Sequence, residues 1–235
     1  MTTWAILPAA GIGRRMGSNT PKQYLPLDGI PVIVRTLQRL LAVAAIDKIV
    51  VVLHPQDDHW KTLDIPGGER MACTEGGQAR YQSVLNGLRA LSGAAQESDW
   101  VLVHDAVRPC VPVADIEKLI ATLQSHDVGG LLATPVDNTL KQAGQDLVVS
   151  STVDRNLYFN ALTPQMFRYG LLLAAMERVE RDKLAITDEA AAMESMGLRP
   201  QLVQGSKMNI KITHDADLAL AAAILSQQAN SLEVN

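Results

Sequence analysis

The 235-residue chain has two cysteines, Cys73 and Cys110, far apart and with neither a CxxC pair nor a histidine cluster beside them. Such spacing excludes a disulfide framework, supplies no zinc-ligand set and favours a reducing compartment. No run approaches the roughly 20 apolar residues that a spanning helix needs. The opening MTTWAILPAA lacks the basic start and long apolar stretch of a secretory signal. The reading is a cytoplasmic protein with no membrane partner. Charge of one sign is scarce too: a net charge of -4 and a pI near 5.7 argue against a surface built for nucleic acid. Internal repeats and low-complexity segments are absent. The five histidines are scattered, and no Ser-His-Asp or Cys-His arrangement is legible.

What is present is 47% hydrophobic residues in a chain long enough to bury one substantial core, so a single domain over 1–235 is expected. Short apolar runs alternate with longer segments of helical period, the pattern of an α/β sandwich with a mostly parallel sheet. Strands are predicted at Trp4 to Leu7, Ile49 to Leu53, the run WVLVH ending in Asp105, and Gly130 to Val136. Helices are predicted over 31–43, 79–91, 116–123, 170–179, 188–196 and 217–226, and LVQG with NIKIT reads as a strand pair. Met176, Met193 and Met196 read as core. Between about 137 and 158 the βα rhythm fails, and a projecting hairpin arm is the simplest reading.

The stretch LPAAGIGRRMGSNTPKQY leaves the first strand through small residues and then places Arg14, Arg15 and Lys22 close together. Gly11, Gly13 and Gly17 are spaced one residue too long for the dinucleotide fingerprint, with Met16 where its third glycine belongs. The second strand closes on His54 and Pro55 without the acid that would bind ribose hydroxyls. Lys22 follows Pro21 and precedes Gln23, which excludes a Walker loop. A glycine turn with free backbone N–H groups and neighbouring cations remains, and that combination suits a small polyanion.

Seven stretches in order, PAAGIGRRMG…PKQY, GGQARYQSV, HDAVRP, TVDRN, LTPQMF, TDEAAAME and NIKIT, resemble the 2-C-methyl-D-erythritol 4-phosphate cytidylyltransferase family. The match runs from residue 4 to about 225. The resemblance implies a Rossmann-like nucleotidyltransferase fold. It also implies a reaction of CTP with a polyol phosphate that releases pyrophosphate in the non-mevalonate isoprenoid pathway. A ribitol 5-phosphate cytidylyltransferase and a non-enzymatic CTP-binding module are the alternatives.

By this resemblance Arg15, Lys22 and Lys211 are the catalytic cations. Ala9, Ala10, Gly11, Gly13, Gly77, Ser83, Asp105 and Ala106 meet the nucleotide, and Gln78 stands where some relatives carry an acid. Thr139, Arg155, Thr163 and Thr187 take the polyol phosphate, with Arg155 reaching into a partner subunit's site and the arm making a homodimer. Mg²⁺ is the implied cofactor, on Asp105. The spacing alone leaves Asp105 open between a metal ligand and a helix N-cap or loop acid paired with Arg108. Thr187 and Asp188 also make a helix start with Glu189 in the first turn, so capping competes there with substrate binding. Asp154 reads either as the partner of Arg155 or as a turn acid.

Overall fold

A computed structural model describes residues 1–11, 20–65 and 67–233. The first strand, β1 (Thr3–Pro8), alternates its side chains between two cores: Ala5 and Leu7 face one, Trp4 and Ile6 the other. This period of two, repeated by β4 (Lys48–Leu53), makes the sheet apolar on both sides and obliges helices to cover each. Helix α1 (Val32–Leu41) and α3 (Val113–Leu123) cover one face with Ile33, Leu37, Leu40, Ile116 and Leu119. On the other, α2 (Arg80–Ala90) and α4 (Tyr169–Asp182) bring Val84, Leu85, Leu88, Leu172 and Met176. The result is a three-layer sandwich, as the alternating pattern predicts.

The sheet has seven strands in the order β11 (Gln201–Gln204), β7 (Gly129–Pro135), β10 (Phe159–Arg168), β6 (Trp100–Val103), β1, β4 and β5 (Met71–Glu75). Pairing is parallel except at β10, which runs antiparallel to both β6 and β7. Two of these strands have no sequence-based counterpart. β5 is an edge strand with mostly exposed or half-buried side chains, so it carries no hydrophobic alternation. β10 contains Pro164, which argues against a central strand; it is accommodated where the register with β7 shifts between Ala161 and Gln165.

The short two-stranded ribbon of β2 (Pro26–Leu27) and β3 (Ile30–Pro31) leads into α1. A second ribbon, β8 (Leu140–Ala143) with β9 (Val149–Val153), forms an antiparallel hairpin that joins no other sheet. Three expectations need correction. NIKIT is not a strand: Ile212 N–H donates to Val107 O at 2.9 Å and Asn209 Nδ2 to Thr163 O at 2.7 Å, so this segment braces β10 and the loop after β6. The last helix, α6, is Asp215–Glu233 and longer at both ends. Met176 and Met193 are fully buried, but Met196, just past α5 (Glu189–Ser195), is 38% exposed because the helix ends before its face turns inward.

β7 begins on two glycines that β10 and β11 approach closely. A Cβ on Gly130 would stand 2.0 Å from Gln201 O, and the strand backbone cannot yield without breaking its pairing. Gly130→Ala should cost about 3 kcal/mol of stability. Urea unfolding is expected to show a lower midpoint at unchanged slope.

Candidate active site

Parallel strands place their following loops along one edge, and ligands of open α/β sheets bind there. β6, β1, β4 and β5 are consecutive parallel strands, and the loops that follow β6, β1 and β5 at Val103, Pro8 and Glu75 wall a cavity of about 390 Å³. From β1 come Ala9, Ala10 and Gly11; from the loop after β5 come Gly77 and Gln78, with Ser83 on α2; from β6 come Asp105 and Ala106. Lys22 and Lys211 enter the same cavity from segments that the sequence separates widely. Lys22 Nζ also donates to Ile212 O at 3.4 Å, beside Lys211. Gly13 and Arg15 lie outside the described residues.

The wall is closely fitted. A Cβ on Gly76 would meet Ala10 Cβ at 2.4 Å and Ser83 Oγ at 2.8 Å, so the loops after β1 and β5 touch because that residue has no side chain. Ser83 Oγ accepts from Gly77 N–H at 3.2 Å, and Gln82 Oε1 accepts from Ala79 N–H at 2.9 Å, fixing the turn into α2. Gln23, which sequence reasoning passed over, is buried and donates through Nε2 to Ala9 O at 2.7 Å and Gly11 O at 3.1 Å. Its only legible signal was its place beside Lys22. Thr36 Oγ1 lies 2.9 Å from Ala106 O and ties that loop to α1.

Asp105 is the electrostatic centre. Its Oδ1 accepts from Arg80 Nε at 3.0 Å; its Oδ2 lies 2.9 Å from Lys211 Nζ and 3.3 Å from Arg108 Nε. Burial alone would raise its pKa, but Arg80, Lys211 and Arg108 outweigh that and hold it well below the usual carboxylate range. Arg108 also donates to Asn209 O at 2.7 Å and is therefore a strut, as the loop-acid alternative expects. The pairing with Lys211, though, is one that spacing could not show. Arg80 and its second partner, Glu189, were missed by sequence reasoning, since 109 residues separate them.

Behind Asp105 lies a neutral network. His104 Nε2 faces Arg108 O at 3.2 Å, which can only accept, so Nε2 carries the proton and Nδ1 accepts from Thr163 Oγ1 at 3.0 Å. Thr163 Oγ1 then accepts from Asp105 N–H at 3.1 Å. Thr163, expected on the substrate side, is buried with its hydroxyl committed in both directions; here it orients the Asp105 backbone.

The remaining substrate-side residues are not at this cavity. Thr139 and Arg155 are exposed on the hairpin side, where Arg155 Nη1 donates to Asp137 O. Thr187 is exposed at the entry to α5. Asp188 caps that helix, accepting from Ala191 N–H at 3.0 Å, and Asp154 is a turn acid accepting from Asn156 N–H at 3.1 Å.

Among the described residues no cluster of three or more His, Cys, Asp or Glu could cage a metal. Among the described residues Asp105 is the one acid on the cavity wall. That donor set fits Mg²⁺ carried mainly on phosphate oxygens with a single protein carboxylate, which is within magnesium's habit.

A glycine-edged, cationic cavity at the carboxyl ends of a mostly parallel sheet defines a nucleotide-binding α/β protein of the transferase kind. The family model described as 2-C-methyl-D-erythritol 4-phosphate cytidylyltransferase matches residues 3–227, and the chain belongs to that family. A cytidylyltransferase of this name from Azoarcus sp. (strain BH72) is 50% identical, covering 96% of this chain and 94% of its own. One from Dechloromonas aromatica (strain RCB) is also 50% identical, over 94% and 96%. The crystal structure of the Francisella tularensis cytidylyltransferase superposes with a TM-score of 0.82 at 35% identity, covering 95% of this chain and all of that one.

The pKa of buried His104 is lowered to about 4, chiefly by desolvation. In the unfolded chain it returns to about 6.5 and takes up a proton that the native state refuses. Stability should therefore fall by about 3 kcal/mol as pH drops from 6.5 to 4. In denaturant titrations without magnesium, His104→Gln is expected to flatten that slope.

Proposed function

We propose that the chain joins the phosphate of 2-C-methyl-D-erythritol 4-phosphate to the α-phosphorus of CTP. The products are 4-diphosphocytidyl-2-C-methyl-D-erythritol and pyrophosphate, in isoprenoid precursor synthesis. Lys22, Lys211 and the caged Asp105 meeting at one cavity is the observation that carries this reading. An oxygen of the monoester attacks the α-phosphorus as the bond to the bridging oxygen breaks. A phosphate monoester has its second pKa at about 6, so the attacking group is already mostly ionised and needs no base. The site agrees: Asp105 is held ionised and His104 is neutral with both ring nitrogens occupied.

What this chemistry needs is positive charge around the phosphorus as it changes partners. The Lys211 ammonium has three N–H groups; one meets Asp105, and its side chain is 40% exposed along the cavity wall. Lys22 stands on the same wall, and Arg15 is assigned to the triphosphate with it. Asp105 is the residue that would hold Mg²⁺, which would supply further neutralisation of the leaving pyrophosphate.

We assign the polyol phosphate to a site completed by a second copy of the chain. The hairpin supports this: Leu147, Val148 and Val149 project from it, Leu147 being 86% exposed, and Leu157, Tyr158 and Phe159 follow at its base. Thr139 and Arg155 sit on this arm, away from their own chain's cavity, and in a homodimer they would serve the partner's. The two cysteines are free, and none of the described helices is long and apolar enough to cross a membrane. We place the reaction in the cytoplasm.

The native chain should release pyrophosphate only with CTP, Mg²⁺ and the methylerythritol phosphate together, read through a coupled pyrophosphatase. Preference for ribitol 5-phosphate would overturn the substrate, and binding of CTP without release would overturn the reaction. Lys22→Ala should lower kcat on the order of 100-fold or more. For the shared site, inactive Lys22→Ala and Arg155→Ala chains are mixed. Verified heterodimers should regain one intact site, and absence of recovery removes the sharing.

A further inference from the structure

Two charged side chains without a role in the proposed chemistry lie against the cavity. Glu189, in the first turn of α5, is fully buried, and a buried carboxylate persists only when paired. Arg80 supplies the pair, with Nη1 at 2.6 Å from Oε1 and Nη2 at 3.3 Å from Oε2. The third nitrogen of that guanidinium, Nε, donates to Asp105 Oδ1 at 3.0 Å. Asp105 in turn presents Oδ2 to Lys211.

The fork on Glu189 is itself fixed. Gln165, on β10, accepts from Ala190 N–H at 2.8 Å and donates to Asp188 Oδ2 at 2.9 Å, gripping the start of α5 from the sheet. Arg80 lines the cavity, and from its location alone it would be taken for a phosphate binder. Its geometry says otherwise, because its edges are committed to two carboxylates.

We infer that Glu189 and Arg80 form a positioning pair: the buried carboxylate turns Arg80 off the nucleotide and onto Asp105, which thereby holds the Lys211 ammonium over the cavity. This rests on the cytidylyl-transfer reading, because it is that reaction in which Lys211 acts. Arg80 is a positioning residue and not a catalytic one. Misplacing Lys211 by about an ångström should lower kcat on the order of 100-fold. CTP affinity, set by the loops after β1 and β5 together with Lys22, should stay nearly unchanged.

The test separates positioning from stability by replacing one partner and then both. Glu189→Met takes the two-point partner from Arg80 and leaves it only Asp105, which should lower the melting midpoint on the order of 10 °C. Arg80→Met with Glu189→Met removes both charges and should recover most of that loss. In the recovered double variant kcat should remain down on the order of 100-fold, with KM for CTP within about threefold of native. Native kcat in the double variant would show that the pair serves stability alone. KM for CTP rising as kcat falls would show that Arg80 holds the nucleotide itself. Either result overturns the inference. Should the double variant fail to fold, Glu189→Gln decides, since it keeps the shape and one acceptor. A kcat loss at near-native melting supports the pair, and native kcat overturns it. A native chain that releases no pyrophosphate in the same assay overturns the assigned reaction, and the pair's role with it. Variants that match an active native chain overturn the pair alone.

Discussion

A carboxylate is buried at the end of β6, and it stays ionised because three cations surround it, two of them from distant parts of the chain. Taking the Asp105 charge out of water is costly, and no single partner recovers that cost. Arg80 from α2, Arg108 from its own loop and Lys211 from the segment before α6 do so together. The cage therefore ties three regions to one point. The cavity keeps its shape because each cation has a second anchor or a solvent-facing side: Arg80 on Glu189, Arg108 on Asn209 O, Lys211 on the open cavity.

The neutral network beneath has a complementary task. His104, Thr163 and the Asp105 N–H form an oriented chain of donors and acceptors in which the Thr163 hydroxyl both donates and accepts. Such a network specifies geometry because any misorientation leaves a buried polar group unpaired. A proton on His104 would put a fourth positive charge beside Asp105 and break the acceptor role of Nδ1. The imidazole is thus a structural element that works only when neutral, in a site whose chemistry asks for no general base.

A phosphate nucleophile and a phosphate leaving group leave little for the protein to do beyond placing charge and excluding disorder. The arrangement matches that economy. Small residues from the loops after β1 and β5 leave backbone bare along the cavity, and Gly76 against Ala10 shows how little room separates the two loops. Lysines, with their compact charge on a flexible stem, face the open side, while the planar arginines Arg80 and Arg108 serve as fixed struts.

The layer order and the carboxyl-edge placement of Asp105 were legible from residue patterns, since each depends on local periodicity or on a turn of a few residues. β10 was not, because Pro164 argues against a strand and only the shifted register with β7 admits it. Nor was the use of NIKIT as a brace for the loop after β6, because its apolar alternation looks the same whether it pairs in a sheet or docks on a loop. The linear sequence by itself determined the sandwich and the supply of phosphate-binding groups, through hydrophobic period and residue type. Only the tertiary structure decided that Thr163 is a strut and that Arg80 answers to Glu189. It also set Lys211 against Asp105, because electrostatic partners across a hundred residues are chosen by the distances that packing creates.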